Sequence, residues 1–314
     1  MRGSGVDAMA EGGLPQLPPG TMLKNQYKVV KKLGEGGFGA VYLMETQSGE
    51  KSAMKVEGCR EQIQVLKMEV VVLQSLKARG AKHGCDIFDR GRNDQYNYVI
   101  MTLVGKSLQD LRKEGQGQHL SLSSALRIGK QCLEAVADLH AIGYLHRDIK
   151  PGNFAIGRQE VGQHRNVYIL DFGLARKFVK DNGEIRTPRA AAGFRGTVRY
   201  APINCHRSKE LGRKDDMETW FYMQVEITMG KVPWSTCQDM NEVGRLKEAN
   251  RQDGSLFMGC PSQYPPMLQY IDSLQYWDAP NYGNVYNLID QACRANNIND
   301  YDPYDWEKPA GPCW

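Results

Sequence analysis

The chain changes its hydrophobic period once, near residue 60, and that change limits what it can become. Residues 27–33 (YKVVKKL), 40–46 (AVYLMET) and 52–58 (SAMKVEG) read as three strands separated by glycine-bearing turns, GEGGFG and QSGEK. From Arg60 onward, Ile63, Leu66, Val70 and Leu73 fall three, four and three residues apart, the stripe of one helix. Two further apolar runs, at Ile87-Phe88 and over 96–104 (YNYVIMTLV), can complete a small antiparallel sheet before Gly105 ends the pattern. Beyond it the chain turns helical. Leu122, Leu126, Leu133 and Val136 mark a long amphipathic helix ending near Gly143, and 220–230 (WFYMQVEITMG) is apolar on nearly every side, as expected of a helix central to its lobe. The expected architecture is α+β. A small lobe over 21–104 has five antiparallel strands and one helix, and a larger, mainly helical lobe covers 105–308, with no internal repeat.

Composition removes several classes of function. Forty Lys and Arg against 36 Asp and Glu leave a net charge of +4, too diffuse for a nucleic-acid binder. The eight cysteines are scattered without C-x-x-C or metal-ligand spacing, which suits reduced thiols in the cytosol or nucleus. No apolar run is long enough to cross a bilayer, and the N-terminus lacks the order of a signal peptide. Residues 1–20, rich in Gly and Pro, are expected to form a disordered leader, and 309–314 a short tail. The expectation is a monomeric intracellular protein, cytoplasmic, with the nucleus and cytoskeleton as further locations, and without nucleic-acid or membrane partners.

The first turn holds Gly34, Gly36 and Gly39 in G-x-G-x-x-G spacing, followed by Val41. Glycines let backbone N–H groups approach phosphate oxygens because no Cβ intervenes. The same spacing opens a helix in dinucleotide folds, and it also occurs in hairpin turns that bind nothing. A strand after Gly39 argues against the dinucleotide fold. Lys55 interrupts an apolar run, as a solvated edge residue or as a phosphate ligand; Glu69, on the helix that follows, offers the carboxylate that would hold it.

The densest chemistry lies at 144–153, YLHRDIKPGN. His146, Arg147, Asp148 and Asn153 fit H-R-D-x-x-x-x-N, and Asp171-Phe172-Gly173 follows as D-F-G. With the glycine turn, Lys55 and Glu69 ahead of them, these residues make the chain resemble the eukaryotic protein kinases over almost all of 27–306. The resemblance implies a bilobal protein-kinase fold and phosphoryl transfer from ATP with Mg²⁺. It implies that Asp148 accepts the proton of a substrate hydroxyl, that Asn153 and Asp171 hold the metal, and that Lys150 neutralises the transferring γ-phosphate. Lysine at 150 resembles a serine/threonine kinase. By the same resemblance Leu33, Gly34, Gly36, Gly39, Val41, Ala53 and Lys55 surround the nucleotide, Met101 is the gatekeeper, and Thr102, Leu103 and Val104 form the hinge. Ala155 either floors that pocket, where many kinases carry leucine, or only packs under the sheet.

Where most protein kinases read A-P-E, residues 197–206 read TVRYAPINCH, with the glutamate replaced near Asn204. This resembles the casein kinase I group, and RTPRAAAGFRGTVRYAPINCH, GRKDDMETWFYM, NFAIG and YDWEKPAG are similar to its tau-tubulin kinase branch. Asp216 is then the buried aspartate that anchors the catalytic loop, and Gly230 with Pro233-Trp234 closes the large helix. Casein kinase I relatives favour acidic or already phosphorylated protein segments. Arg186, Arg189, Arg195 and Arg199, with Lys247 as a further member, are expected to gather such an anion; the alternative is a solvated basic loop in which one arginine serves the fold. Thr187 and Thr197 are the only hydroxyls between Leu174 and Tyr200, and the resemblance to this group implies an enzyme that works without phosphorylation there. The reading is a serine/threonine protein kinase for acidic or phospho-primed proteins. A pseudokinase scaffold and a microtubule-associated binding module are the alternatives.

Overall fold

The computed structural model describes residues 16–36, 39–59 and 64–307. The chain divides into two compact units, one running to Gln74 and including Asp86–Leu103, the other comprising Ser75–Cys85 and everything from Val104 onward. The expected boundary lay between 104 and 105; Val104 falls in the second unit, and so does Ser75–Cys85, where the His83 carbonyl accepts from Ile169 N–H at 2.9 Å.

The first unit is a sheet of β1 (Met22–Leu23), β2 (Tyr27–Gly36), β3 (Gly39–Thr46), β4 (Lys51–Gly58), β5 (Ile87–Arg92) and β6 (Tyr96–Thr102). Its order is β1-β2-β3-β4-β6-β5, with every neighbour antiparallel. The five expected strands are present. A sixth, β1, joins at the edge, and its two residues are too few to show a period. Cross-strand partners point to one face, and the pairs Val41 with Lys55, and Leu43 and Met101 with Ala53, set those residues on one side. Tyr42, Met44, Met54, Val56, Tyr98 and Ile100 lie in register on the other side and build the core with Val29. Leu17 packs against that core and Gly20 N–H donates to Val29 O at 2.8 Å, so part of the expected leader is tied to the sheet. Residues 1–15 lie outside the described residues.

Helix α1 (Leu66–Arg79) starts later than Arg60, and Ile63 lies outside the described residues. Its start is set by Glu57, buried in β4, whose Oε2 accepts Val65 N–H at 2.8 Å and Leu66 N–H at 2.9 Å. A carboxylate there satisfies otherwise orphaned donors and complements the positive end of the helix dipole.

In the second unit, α2 (Leu108–Glu114) and α3 (Leu122–Ala141) are capped by the hydroxyls of Ser107 and Ser121. The chain leaves α3 through Gly143 at φ +83°, where a Cβ would come within 2.5 Å of Val179. Two short ladders follow, β7 (Tyr144–Leu145) with β10 (Arg176–Lys177), and β8 (Phe154–Ile156) with β9 (Val167–Ile169). Beyond α4 (Ile203–His206), α5 (Arg213–Met229) is buried at every residue from Asp215 to Thr228 and ends on left-handed Gly230, as its sequence predicts. It packs on α3 where Gly129 has no side chain, because a Cβ there would lie 1.8 Å from Gln224 Oε1. Helices α6 (Met240–Gln252), α7 (Tyr264–Ser273) and α8 (Tyr282–Ala295) complete the unit.

The chain then returns to the start of α3. Arg127 donates to the carbonyls of Asp300 (3.1 Å) and Asp302 (2.7 Å) and lies 4.0 Å over the Tyr304 ring. Asp305 Oδ2 accepts from Ser121 N–H at 2.7 Å, and Glu307 pairs with Arg165 and His164, each at 2.7 Å. Among the described residues the cysteines form no disulfide with one another, and no helix is long and apolar enough to cross a membrane. The tail expected at 309–314 lies outside them.

Candidate functional site

The first unit carries the glycine hairpin and Lys55. Of the three glycines of the G-x-G-x-x-G spacing, Gly39 alone is sterically required, because a Cβ there would lie 2.1 Å from Val56 O. Gly34 and Gly36 face open space, Leu33 is exposed, and Val41 and Ala53 are half-buried on the Lys55 face. Gly37 and Phe38 lie outside the described residues. Lys55 Nζ meets Glu69 Oε2 at 2.5 Å, and Glu69 sits in the first turn of α1, which Glu57 fixes. The expected lysine–glutamate pair is therefore formed. Glu57 was not singled out in the sequence, although an acidic residue two positions after Lys55 on β4, shortly before a helix, is a usable signal.

Met101 is buried between Ala53 and Ile87 in register. Thr102 spends its N–H on Asp86 O (3.0 Å) while its hydroxyl accepts Asp86 N–H (2.9 Å). That N–H is therefore committed to Asp86, just ahead of β5. Leu103 ends the first unit and half-buried Val104 opens the second.

The second unit gathers the catalytic-loop residues. Asp216, in the first turn of α5, accepts His146 N–H at 2.7 Å and Arg147 N–H at 2.9 Å, and His140 Nε2 lies 2.9 Å away. Burial pushes the Asp216 carboxyl up, but the bond and charge of His140, with His146, outweigh it and hold it below its ordinary value. Arg147 is thereby kept at φ +67° and donates to Leu174 O at 2.7 Å; Asp171 is the other left-handed residue of the site, at φ +60°. Non-glycine residues in that region cost about 1–3 kcal/mol each and persist only where surroundings impose them.

Asp148 is held at both oxygens. Thr197 Oγ1 donates to Oδ1 at 2.8 Å and Lys150 Nζ to Oδ2 at 2.7 Å, while Lys150 also reaches Thr197 Oγ1 at 3.2 Å. Asn153 Nδ2 donates to the Asp148 carbonyl at 2.8 Å and to Oδ2 at 3.3 Å, which leaves its carbonyl oxygen as the acceptor for a ligand. Leu170 N–H donates to Asn153 O at 2.8 Å and so brings Asp171, whose side chain is exposed, beside Asn153. An amide oxygen and a carboxylate are hard donors of the kind Mg²⁺ accepts together with phosphate oxygens and water. Ala155 is buried in β8 and bridges to Ser107. Gly196, at φ +90°, lets the following segment pass the loop, because a Cβ would lie 2.5 Å from Arg147 O.

The five basic residues expected around one anion are not brought together. Arg186 donates to Val179 O at 3.1 Å, and Arg195 is exposed. Arg189 makes two bonds to buried Glu210 (2.5 and 3.1 Å), which also draws Arg176 to 3.5 Å. Arg199 bonds Glu226 at 2.8 Å and Ser235 O at 3.0 Å. Lys247 has no exposed surface, so it cannot be the direct anion contact expected of it. Only Arg199 borders a pocket beside the catalytic loop, a space of ≈ 480 Å³ lined also by Lys150, Gly152, Thr197, Ser235 and Gln238. The buried carboxylates Glu210 and Glu226 were missed, because nothing local to the arginines reveals partners 21 and 27 residues away.

The protein kinase domain family matches residues 27–272. A Dictyostelium discoideum protein named as a serine/threonine-protein kinase is 39% identical over 92% of this chain, which spans 58% of that relative's length. The Caenorhabditis elegans serine/threonine-protein kinase spe-6 is 37% identical over 94% of this chain and 80% of its own. Another C. elegans protein, whose name places it in casein kinase I, is 30% identical over 93% of this chain and 86% of its own. Match, relatives and the fixed Asp148–Asn153 loop agree: the chain belongs to the protein kinase family, among its serine/threonine kinases.

Proposed function

We propose that this chain transfers the γ-phosphate of ATP to serine or threonine in acidic or phospho-primed protein segments, in the manner of the casein kinase I group and its tau-tubulin kinase branch. The observation that carries the transfer step is the clamping of Asp148 by Thr197 and Lys150, which aims a carboxylate while Asp216 holds the loop. The substrate hydroxyl oxygen bonds to the γ-phosphorus, the bond from that phosphorus to the β,γ-bridging oxygen breaks with its electrons leaving on ADP, and the hydroxyl proton passes to Asp148. Lys150 offsets charge on the transferring group, and Lys55, steadied by Glu69, binds the nucleotide phosphates. Asn153 and Asp171 would hold Mg²⁺, which would supply neutralisation of the phosphate charge when bound.

Arg199 supports the substrate class. Glu226 is shared by Arg199 at 2.8 Å and Arg112 at 3.5 Å, so two guanidinium groups face one carboxylate and the pocket wall keeps a net positive charge. Seven scattered cysteines that form no disulfide with one another among the described residues support a reducing compartment, the cytoplasm or nucleus. The test is transfer of labelled γ-phosphate to peptides bearing one serine flanked by acidic, prephosphorylated or neutral residues. Acidic and primed peptides should lead, and Arg199→Gln should lessen that lead. Equal rates on all three would end the substrate proposal, and equal rates for wild type and Asp148→Asn would favour the scaffold reading.

A further inference from the structure

Helix α6 buries a lysine that meets no carboxylate among the described residues. The Lys247 ammonium donates to Val198 O at 2.8 Å, to Ala201 O at 2.6 Å and to His206 Nε2 at 3.0 Å. The rings of Tyr222 and Trp234 stand 5.1 and 5.5 Å from it. Glu218, the nearest acidic influence, is occupied by Arg251 at 2.7 Å and by Ile203 N–H at 2.7 Å. Burial pushes the lysine down to about 7, with Glu218 opposing. A cation buried in this way is compensated mainly by carbonyl dipoles, a histidine nitrogen and aromatic faces, and an apolar side chain of similar volume would be easier to pack.

The two carbonyls it holds bracket Arg199 and Tyr200. The carbonyl of Arg199 itself accepts from Trp234 Nε1 at 2.8 Å, and the Tyr200 hydroxyl bonds Glu226. The residue just before this stretch, Thr197, bonds Asp148. Three hydrogen bonds, two from Lys247 and one from Trp234, thus fix peptide planes of a segment that touches the catalytic aspartate at one end and lines the ≈ 480 Å³ pocket from Thr197 to Tyr200.

We propose that Lys247 is the positioning residue of the peptide-recognition segment 197–201. It sets those carbonyls from beneath, so that Arg199 faces the substrate without Lys247 itself meeting one. The proposal rests on the protein-kinase reading of the pocket. A direct anion contact would be felt only by acidic peptides. A backbone strut is felt by any peptide laid on the segment.

The test compares wild type, Lys247→Met and Lys247→Arg with an acidic and a neutral peptide, varying peptide and ATP separately. Both variants should raise KM roughly tenfold for both peptides alike, the scale of a lost charged donor to buried carbonyls, with KM for ATP unchanged. A loss confined to the acidic peptide, or no loss, overturns the proposal; an equal rise in KM for ATP would mark a merely structural role and overturn it too. Amide hydrogen exchange reads the strut without activity: exchange should quicken over 198–203 in Lys247→Met and stay unchanged over 146–153. Unchanged exchange at 198–203 overturns the proposal even if no peptide is phosphorylated, an outcome that would instead count against the proposed function. If Lys247→Met does not fold, Trp234→Phe removes one bond of the same floor and should raise both peptide KM values together. No shift there overturns the proposal.

Discussion

The catalytic loop and the basic segment after it are both crowded with charge, yet they are built in opposite ways. In the loop, charges stand beside one another in sequence and are tied to backbone: Asp216 holds two N–H groups, and Asn153 holds the Asp148 carbonyl. Along 186–199 two of the charges, Arg189 and Arg199, are paired from a distance, by Glu210 and Glu226, buried carboxylates that no neighbouring residue announces. Clustered charge in sequence therefore means an active constellation in one region and a set of separate struts in the other.

The largest effect expected is at Asp148. Asp148→Asn keeps the shape of the clamp but removes the proton acceptor, and turnover should fall by roughly 10³-fold or more while the melting temperature stays put; a modest drop would mean that the loop is not the reacting site. Asp216→Ala attacks the same loop from below. Removing a buried charge with three partners should cost about 3–5 kcal/mol in urea unfolding and abolish turnover as well. Stability near wild type would show that the anchor is dispensable.

A smaller change sharpens the other half of the comparison. Glu226→Gln leaves Arg112 and Arg199 without their shared counter-charge, so KM for acidic peptides should fall a few-fold, by roughly 1 kcal/mol or less of partly screened attraction, while neutral peptides are unaffected. A rise in KM for acidic peptides would mean that Glu226 orients Arg199 more than it neutralises it. The smallest effect concerns Glu307, whose carboxyl is brought down to about 2 by the Arg165 bond first, against burial, with Tyr304 N–H and His164 assisting. Its folded value lies below the ordinary 4.5, so its contribution is present above that pH and is lost as pH falls toward 2. Wild type should lose melting temperature against Glu307→Gln over that window, and parallel curves would refute the linkage.

Much of this was legible in the sequence because the determinants are local. The period change near residue 60 marks sheet before helix, G-x-G-x-x-G marks the hairpin, and H-R-D-x-x-x-x-N marks residues that do meet. Long-range partners were not legible: Glu57 starts α1 from a strand, and Glu226 joins Arg112 to Arg199 from α5. Lys247 was misread from its charge, although its spacing held the correction. It follows Val243 by four residues on the buried stripe of α6, a position where a lysine must find acceptors inside.

The contact between Asp305 and Ser121 spans 184 residues and satisfies an N–H at the entrance of α3, the helix against which α5 is packed. During synthesis on the ribosome, the segment that closes this entrance emerges long after the helix it serves. A nascent chain that has not yet reached Asp305 holds α3 by its Ser121 hydroxyl cap alone, without this acceptor for the Ser121 N–H, so the second unit can become fully native only when nearly all of the described chain has left the exit tunnel.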